Sequence, residues 1–378
     1  MIKGIKDNSL KLSVITKFER LLELEYLWNQ LLERSATNEI FLTFQWVTNW
    51  WRVFGNKYRK LLILLAYRNG ELIGIAPLMV TQLKIPLVKV REVSFIAEGD
   101  YHDFIIVDAV EDCINLFARF LSENRNIWDI LRLEQMPKVS PNLEYLIRAL
   151  HINGIAAKRE SGAICPYIKF HAGMQTYDEG VNKKLLQDIR RCRRRLAEIG
   201  NFKIIICTAE NAEQALERFF ENHIKRWENS LTPSKFVKET YRKFYQIIAK
   251  STIEKDWLHF SLLVCNGDPI AYHYGFLYGN KFYYYTPTFS SEFARYSPGN
   301  ILLDELVQLA FAKKISQFDF LAGDEGYKLR WTREYSENLS VIAFTNCKGV
   351  LLHKLINNPR RRKILRKLGR VISSKLYN

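Results

Sequence analysis

The chain has 378 residues, of which 48% are hydrophobic and 25% charged, and its formal net charge is +16. That length favours two domains over one, and that composition excludes a disordered chain. No uncharged apolar run is long enough to span a bilayer, and residues 1–7 lack the apolar core of a signal peptide, so the expected compartment is the cytoplasm.

The first elements predicted are a strand over 12–16 and a helix over 18–33, with Leu21, Leu24, Leu27, Leu31 and Leu32 on one face. Phe44-Gln-Trp46 opens an aromatic-rich helix that also carries Trp50 and Trp51. Strands are expected over 61–67, 72–80 and 88–96, the first two joined by the hairpin dipeptide Asn69-Gly70. A helix (113–121), a strand (128–134) and a helix (143–151) complete this half.

A comparable order returns after Cys165. Residues 183–199 read as a helix with apolar positions 185, 189, 192, 196 and 199, stopped at Gly200. A strand (202–208) and helices (212–227 and 241–248) follow. Three strands, 258–265, 270–277 and 282–286, turn at Asn266-Gly267 and Tyr278-Gly279-Asn280. A helix from Asn300 and a strand over 318–321 close the set. The repeated order predicts a duplicated α/β unit with a boundary near 161–173. The expected domains are 1–162, 163–346 and a basic amphipathic helical tail, 347–378.

Charge is concentrated in two segments. Residues 348–378 hold ten Lys/Arg and no Asp/Glu, and residues 181–195 hold seven Lys/Arg and one Asp. These two account for the whole net charge, so a general nucleic-acid-binding surface is not expected. The outer face of the second segment, at 183, 184, 190, 191, 194 and 195, reads either as a solvated face or as a landing strip for an anionic acceptor or membrane. The tail favours the latter, as peripheral contact with anionic lipid. The six cysteines (113, 165, 192, 207, 265 and 347) have no CxxC or metal spacing and read as reduced core thiols, and no metal is expected.

Chemistry concentrates in 295–331. The turn Arg295-Tyr-Ser-Pro-Gly299 feeds a helix, and a helix start presents backbone N–H groups to anions. Ser297, Gly299 and Asn300 offer such groups and Arg295 adds charge, although an N-capped core helix with nothing bound would read the same way. The loop after Phe318 holds Asp324 and Glu325, either a candidate general base or ordinary solvated charges. Tyr327 is a candidate proton donor or a packed aromatic. Lys328 and Arg330 would hold an acceptor phosphate, or pair with Glu325 and Glu334. His273, in Ala271-Tyr-His-Tyr-Gly275, faces with Ala271 and Gly275 and either lines a cleft or is a hydrogen-bonded core histidine. In the first half, Gly99-Asp100-Tyr-His-Asp103 makes Asp100, Tyr101 and Asp103 candidates for acceptor binding, or a polar turn. No Walker loop or Ser/His/Asp nucleophile set is present.

Three motifs resemble those of a known family. Phe44-Gln-Trp46 with Trp50-Trp51, Gly74-Ile-Ala-Pro-Leu78, and Tyr296-Ser-Pro-Gly299 with Asp319-Phe-Leu-Ala-Gly-Asp-Glu-Gly-Tyr-Lys-Leu-Arg-Trp331 resemble the BioF2-like or CelD/BcsL group of GNAT acyltransferases, relatives of the FemAB peptidoglycan-peptide transferases. The resemblance spans roughly residues 10–346. It implies a fold of two tandem GNAT-like α/β units, each a mixed sheet flanked by helices. It also implies transfer of an acyl group from acetyl-CoA or another acyl-CoA to an amine or hydroxyl. The expected acceptor is a small-molecule or lipid-linked sugar or cell-envelope precursor, with exopolysaccharide synthesis as the setting. GNAT proteins seat the CoA pyrophosphate on an Arg/Gln-x-x-Gly-x-Gly/Ala turn. Here the glycine stands one place late, and Pro298 removes one N–H. The alternatives are a FemAB-like transferase using aminoacyl-tRNA, the one case in which a nucleic acid enters, and a non-catalytic scaffold in polysaccharide synthesis.

Overall fold

The computed structural model describes residues 10–85 and 88–357. Most of the expected basic tail, 358–378, lies outside them. The described residues form two compact units, one reaching to 162 and resuming at 338, the other of 163–337.

Unit one begins with β1 (Leu10–Ile15), α1 (Phe18–Leu22) and α2 (Glu25–Arg34). The single helix expected over 18–33 is therefore two, parted at Glu23–Leu24. α3 (Phe44–Phe54) starts where the Thr43 side chain accepts from the Trp46 N–H. Then come β2 (Arg59–Arg68), β3 (Glu71–Ile85), β4 (Val88–Phe95), β5 (Ile105–Ile106), α4 (Val110–Glu123), β6 (Ile130–Pro137), α5 (Pro141–Ile152) and β7 (Ala157–Lys169). β2, β3 and β4 are an antiparallel meander, and β4 pairs parallel with β6 at Glu92–Ile130 and Val93–Leu131. The Asn69-Gly70 turn has φ of 52° and 85°, the left-handed pair a tight hairpin requires. α4 and α5 bury Cys113, Phe117, Leu143 and Leu146 against this sheet.

Unit two repeats the plan. It contains α6 (Lys183–Ala197), β8 (Phe202–Ile206), α7 (Ala212–Trp227), α8 (Glu239–Ile253), β9 (Leu258–Cys265), β10 (Asp268–Tyr278), β11 (Lys281–Phe289), α9 (Pro298–Ala312) and β12 (Gln317–Asp319). Its sheet runs β7-β12-β11-β10-β9-β8. Again an antiparallel meander (β9, β10, β11) is followed by a helix and a strand parallel to the last of the three. β9 is buried along its whole length, as a strand covered on both faces must be. α6 and α9 cover one face, with Leu185, Ile189, Cys192 and Leu196 meeting Ile301, Leu302 and Leu306. α7 and α8 cover the other, where Phe219 and Tyr245 pack on Tyr274.

Two strands escape the sequence prediction. β7 runs into the expected boundary segment and ends within it, at Lys169. β13 (Tyr335–Phe344) returns to unit one, where it pairs with β6 and takes Asn338 onward out of unit two. The expected second domain runs to residue 346, whereas this pairing ends the compact unit at 337. α10 (Cys347–Asn357) follows, and its Cys347 is exposed while the other five thiols are buried.

Candidate active site

β11 and β12 run in parallel for three residue pairs only, Lys281–Gln317, Phe282–Phe318 and Tyr283–Asp319. β11 continues to Phe289, whereas β12 ends and the chain turns away through Leu321, whose φ is 62°. That left-handed position is costly for a leucine. Asp319 supports it, with Oδ1 accepting from the Leu321 N–H at 2.7 Å and Oδ2 accepting from Gln317 at 3.1 Å. The parting leaves the far part of the β11 edge without a β12 partner, beside the start of α9.

At that start Ser297 is left-handed, with φ of 50°, and Pro298 takes the first helical position. Here the structure corrects the expected cradle. The Ser297 N–H donates to the Ala294 carbonyl, and the Asn300 N–H donates to the Ser297 carbonyl, both at 3.0 Å. With Pro298 lacking a donor, Gly299 alone of the three expected N–H groups is left for a ligand. A Cβ on Gly299 would lie 3.1 Å from the Phe289 ring, so the helix start and the β11 end approach closely.

Three arginines lie beside this helix start. Arg295 is exposed and lies over the Tyr296 ring at 4.7 Å, and Arg195, from the end of α6, lies near the same ring at 5.7 Å. Arg226, from the end of α7, lies 3.7 Å above Phe289. It is half-buried and, among the described residues, has no carboxylate partner; burial pulls its guanidinium below the ordinary value, while the Tyr284 and Tyr327 hydroxyls act against this. A half-buried cation without an anion is expensive, which makes this a natural place for an anionic group. Sequence inspection missed Arg195 and Arg226. A cation at the end of an amphipathic helix gives no local sign of which strand end it will reach.

The acidic loop is divided by its contacts. Lys328 is buried; its Nζ donates to the Leu321 and Ala322 carbonyls at 3.2 and 2.8 Å and pairs with Glu325 at 2.9 Å. It therefore clamps its own loop instead of reaching for an acceptor phosphate. Arg330 pairs with Asp188 of α6 at 3.2 Å and not with Glu334. Asp324 is exposed and, among the described residues, is held by no ion pair, so of the two carboxylates it is the free one. Tyr327 packs on the core of unit two, and burial first, then the Glu325 charge, raises its phenol well above the ordinary value. It stays protonated across the physiological range and can donate a hydrogen bond.

His273 does not line a cleft. It is fully buried, faces the α9 side as its alternation predicts, and stacks on Tyr284 at 4.5 Å with the rings 4° from parallel. Neither ring nitrogen has a partner among the described residues, so it is not a hydrogen-bonded core histidine either. Burial, then the neighbouring His259, holds it neutral far below the usual range. Gly275 is required beside it, because a Cβ there would strike the imidazole and the Tyr283 carbonyl. His259 is likewise buried, with its pKa lowered to about 4 by burial and then by Lys313. A lowered folded-state pKa means stability that is present above the ordinary value of 6.5 and lost as pH falls towards about 4. His259 by itself should cost unit two about 2 kcal/mol on going from pH 7.5 to 5. Urea titrations at the two pH values measure this, and equal midpoints would refute the neutral assignment.

The remaining candidates lie in unit one. Asp103 is fully buried at the start of α5, where it accepts from the Phe104 N–H, from the Ser140 hydroxyl and from Asn142 Nδ2 at 2.9 Å. Burial raises it to about 6 against these bonds. It is a structural carboxylate that ties a loop to a helix start, not an acceptor ligand. Tyr101 is buried against Phe41, and the Asp100 carbonyl accepts from Asn338 at 2.7 Å. The structure thus places Arg295, Gly299, Asp324, Glu325 and Tyr327 in unit two, and Asp100, Tyr101 and Asp103 in the other unit.

Residues 183–329, within unit two, match the family described as an acetyltransferase (GNAT) domain. No curated protein matches the chain. Among solved structures the chain is similar to FemX, at 11% identity and a TM-score of 0.62, over 92% of this chain and all of that one. It is also similar to a conserved protein of unknown function from Bacteroides thetaiotaomicron, at 11% identity and a TM-score of 0.54, over 89% of this chain and all of the other. L-PGS from Bacillus licheniformis follows at 10% identity and 0.52, over 90% of this chain and 97% of that one. At such identities the likeness is one of fold.

Proposed function

We propose that unit two transfers an acyl group from an acyl-CoA, most simply acetyl-CoA, to an amine or hydroxyl of a sugar or cell-envelope precursor, in the manner of the BioF2-like and CelD/BcsL group. One observation carries this reading: the parting of β11 from β12 beside a helix start flanked by Arg195, Arg226 and Arg295. A strand edge from which its neighbour has parted accepts an extended, amide-bearing chain, which is the form of the CoA arm, and the cations suit its phosphates. Asp324 takes the proton of the acceptor nucleophile, which attacks the thioester carbonyl. The tetrahedral intermediate then expels the thiolate as the carbon–sulfur bond breaks, and the Tyr327 phenol donates to the departing sulfur.

Isothermal titration with acetyl-CoA tests the donor. Binding in the micromolar range is expected. Gly299→Trp should weaken it about 30-fold, because an indole overfills the gap to Phe289. Heat exchange that is absent in the wild type, or unaltered in the variant, would remove this site from consideration.

A second reading, aminoacyl-tRNA as donor in the manner of FemAB, is favoured by the helix start that leaves one N–H instead of three. Silence towards acetyl-CoA together with salt-sensitive tRNA binding would select it.

A further inference from the structure

α6 presents one face that the proposed chemistry does not use. Its buried stripe, Leu185, Ile189, Cys192 and Leu196, is turned to the core. Opposite it, Lys183, Lys184, Arg190, Arg191, Arg194 and Arg195 are all exposed. At 100° per residue these six cations fall within an arc of about 140°, along a helix about 22 Å long. Arg193, the other cation of the helix, turns aside to pair with Asp304 and Glu305 of α9. Arg190 and Arg191 have acid neighbours, Asp178 at 4.0 Å and Asp188 at 3.1 Å. Among the described residues, Lys183, Lys184 and Arg194 have none.

Such a face is costly to keep. Like charges at neighbouring helical positions repel, and among the described residues no ion pair holds Lys183, Lys184 or Arg194. The first turn holds two lysines against the helix dipole, where acidic residues are the stabilising choice. Within α6 no large apolar side chain is exposed, so the face has neither a wedge to insert into lipid nor a ring on which an unstacked base could lie. A flat cationic stripe of this kind fits a surface of fixed negative charge. At its C-terminal end Arg195 reaches the Tyr296 ring, and on its flank Asp188 holds Arg330 of the acidic loop. Whatever lies on α6 therefore lies beside both the helix start and the loop.

We propose that the outer face of α6 is a docking surface for an anionic lipid bilayer, which it contacts at the level of the phosphate headgroups. The surface is defined by unit two alone and does not depend on the acyltransferase reading. Vesicle binding by a protein that ignores acetyl-CoA would leave it standing.

Co-sedimentation of the full chain with vesicles tests this, using phosphatidylglycerol in phosphatidylcholine, phosphatidylcholine alone, and total tRNA as the competing polyanion. At roughly 0.05 M salt, where charge is weakly screened, binding to the anionic vesicles and not to the neutral ones is expected. The triple variant Lys183→Gln, Lys184→Gln, Arg194→Gln keeps every other cation, including the C-terminal ones, and should bind about 100-fold more weakly with a melting temperature no lower than that of the wild type. Wild-type affinity in the variant would move the contact away from α6. Failure of the wild type to bind anionic vesicles, or loss in the variant of tRNA binding alone, would overturn the proposal.

Discussion

Asp324→Asn is expected to lower kcat for acyl transfer by about 100- to 1000-fold while leaving the dissociation constant for acetyl-CoA unaltered, since general base catalysis contributes on this scale. Asparagine keeps the size and polarity of the side chain and removes only its capacity to take a proton. The neighbouring carboxylate provides the internal control. Glu325 is paired to Lys328 at 2.9 Å and Asp324 is not, so Glu325→Gln should lose about tenfold, through a slackened loop. If instead Glu325→Gln abolishes turnover and Asp324→Asn is nearly silent, the base is Glu325 and the ion pair is part of the chemistry.

Lys328→Met is expected to cost about 3 kcal/mol of stability, because it strips a charged donor from two backbone carbonyls in the loop. Methionine keeps most of the aliphatic stem, so the loss comes from the ammonium and not from a cavity. Released from the clamp, the segment after the strained Leu321 should open to protease, and turnover should fall by at least about tenfold as Asp324 loses its placement. Urea denaturation, limited proteolysis and steady-state kinetics together decide the matter. A lysine that held an acceptor phosphate would behave differently: KM would rise while the urea midpoint and the protease pattern stayed as in the wild type.

Much of the architecture was legible because it is set by local rules. Asn69-Gly70, Asn266-Gly267 and Gly279-Asn280 pair left-handed residues, and each does close a hairpin between runs long enough to be strands. The stripe at 185, 189, 192 and 196 predicts α6 and its buried face together. β7 and β13 were not legible. Ala157–Lys169 and Tyr335–Phe344 mix Lys, Arg, Glu and Asn with apolar residues in no clean alternation, and it is the strands beside them that make strands of them. The helix break at Glu23–Leu24 was equally hidden, since the leucine spacing runs straight through it.

The site divides along the same line. That residues 295–331 hold a turn, a helix, a short strand and a charged loop follows from residue types alone, as does the resemblance to GNAT transferases and the basic outer face of α6. The sequence by itself thus determined the kind and order of most elements, because propensity, turn geometry and helical periodicity act over a few residues. Tertiary structure alone decided which charged groups remain available. It turned Lys328 inward onto two carbonyls, gave Asp103 to the start of α5, sealed His273 against Tyr284, consumed the Ser297 and Asn300 N–H groups, and brought Arg195 and Arg226 to the start of α9. The physical reason is that a polar group's role is fixed by what satisfies it. In a folded chain the satisfying partner is usually remote in sequence, and no local pattern records it.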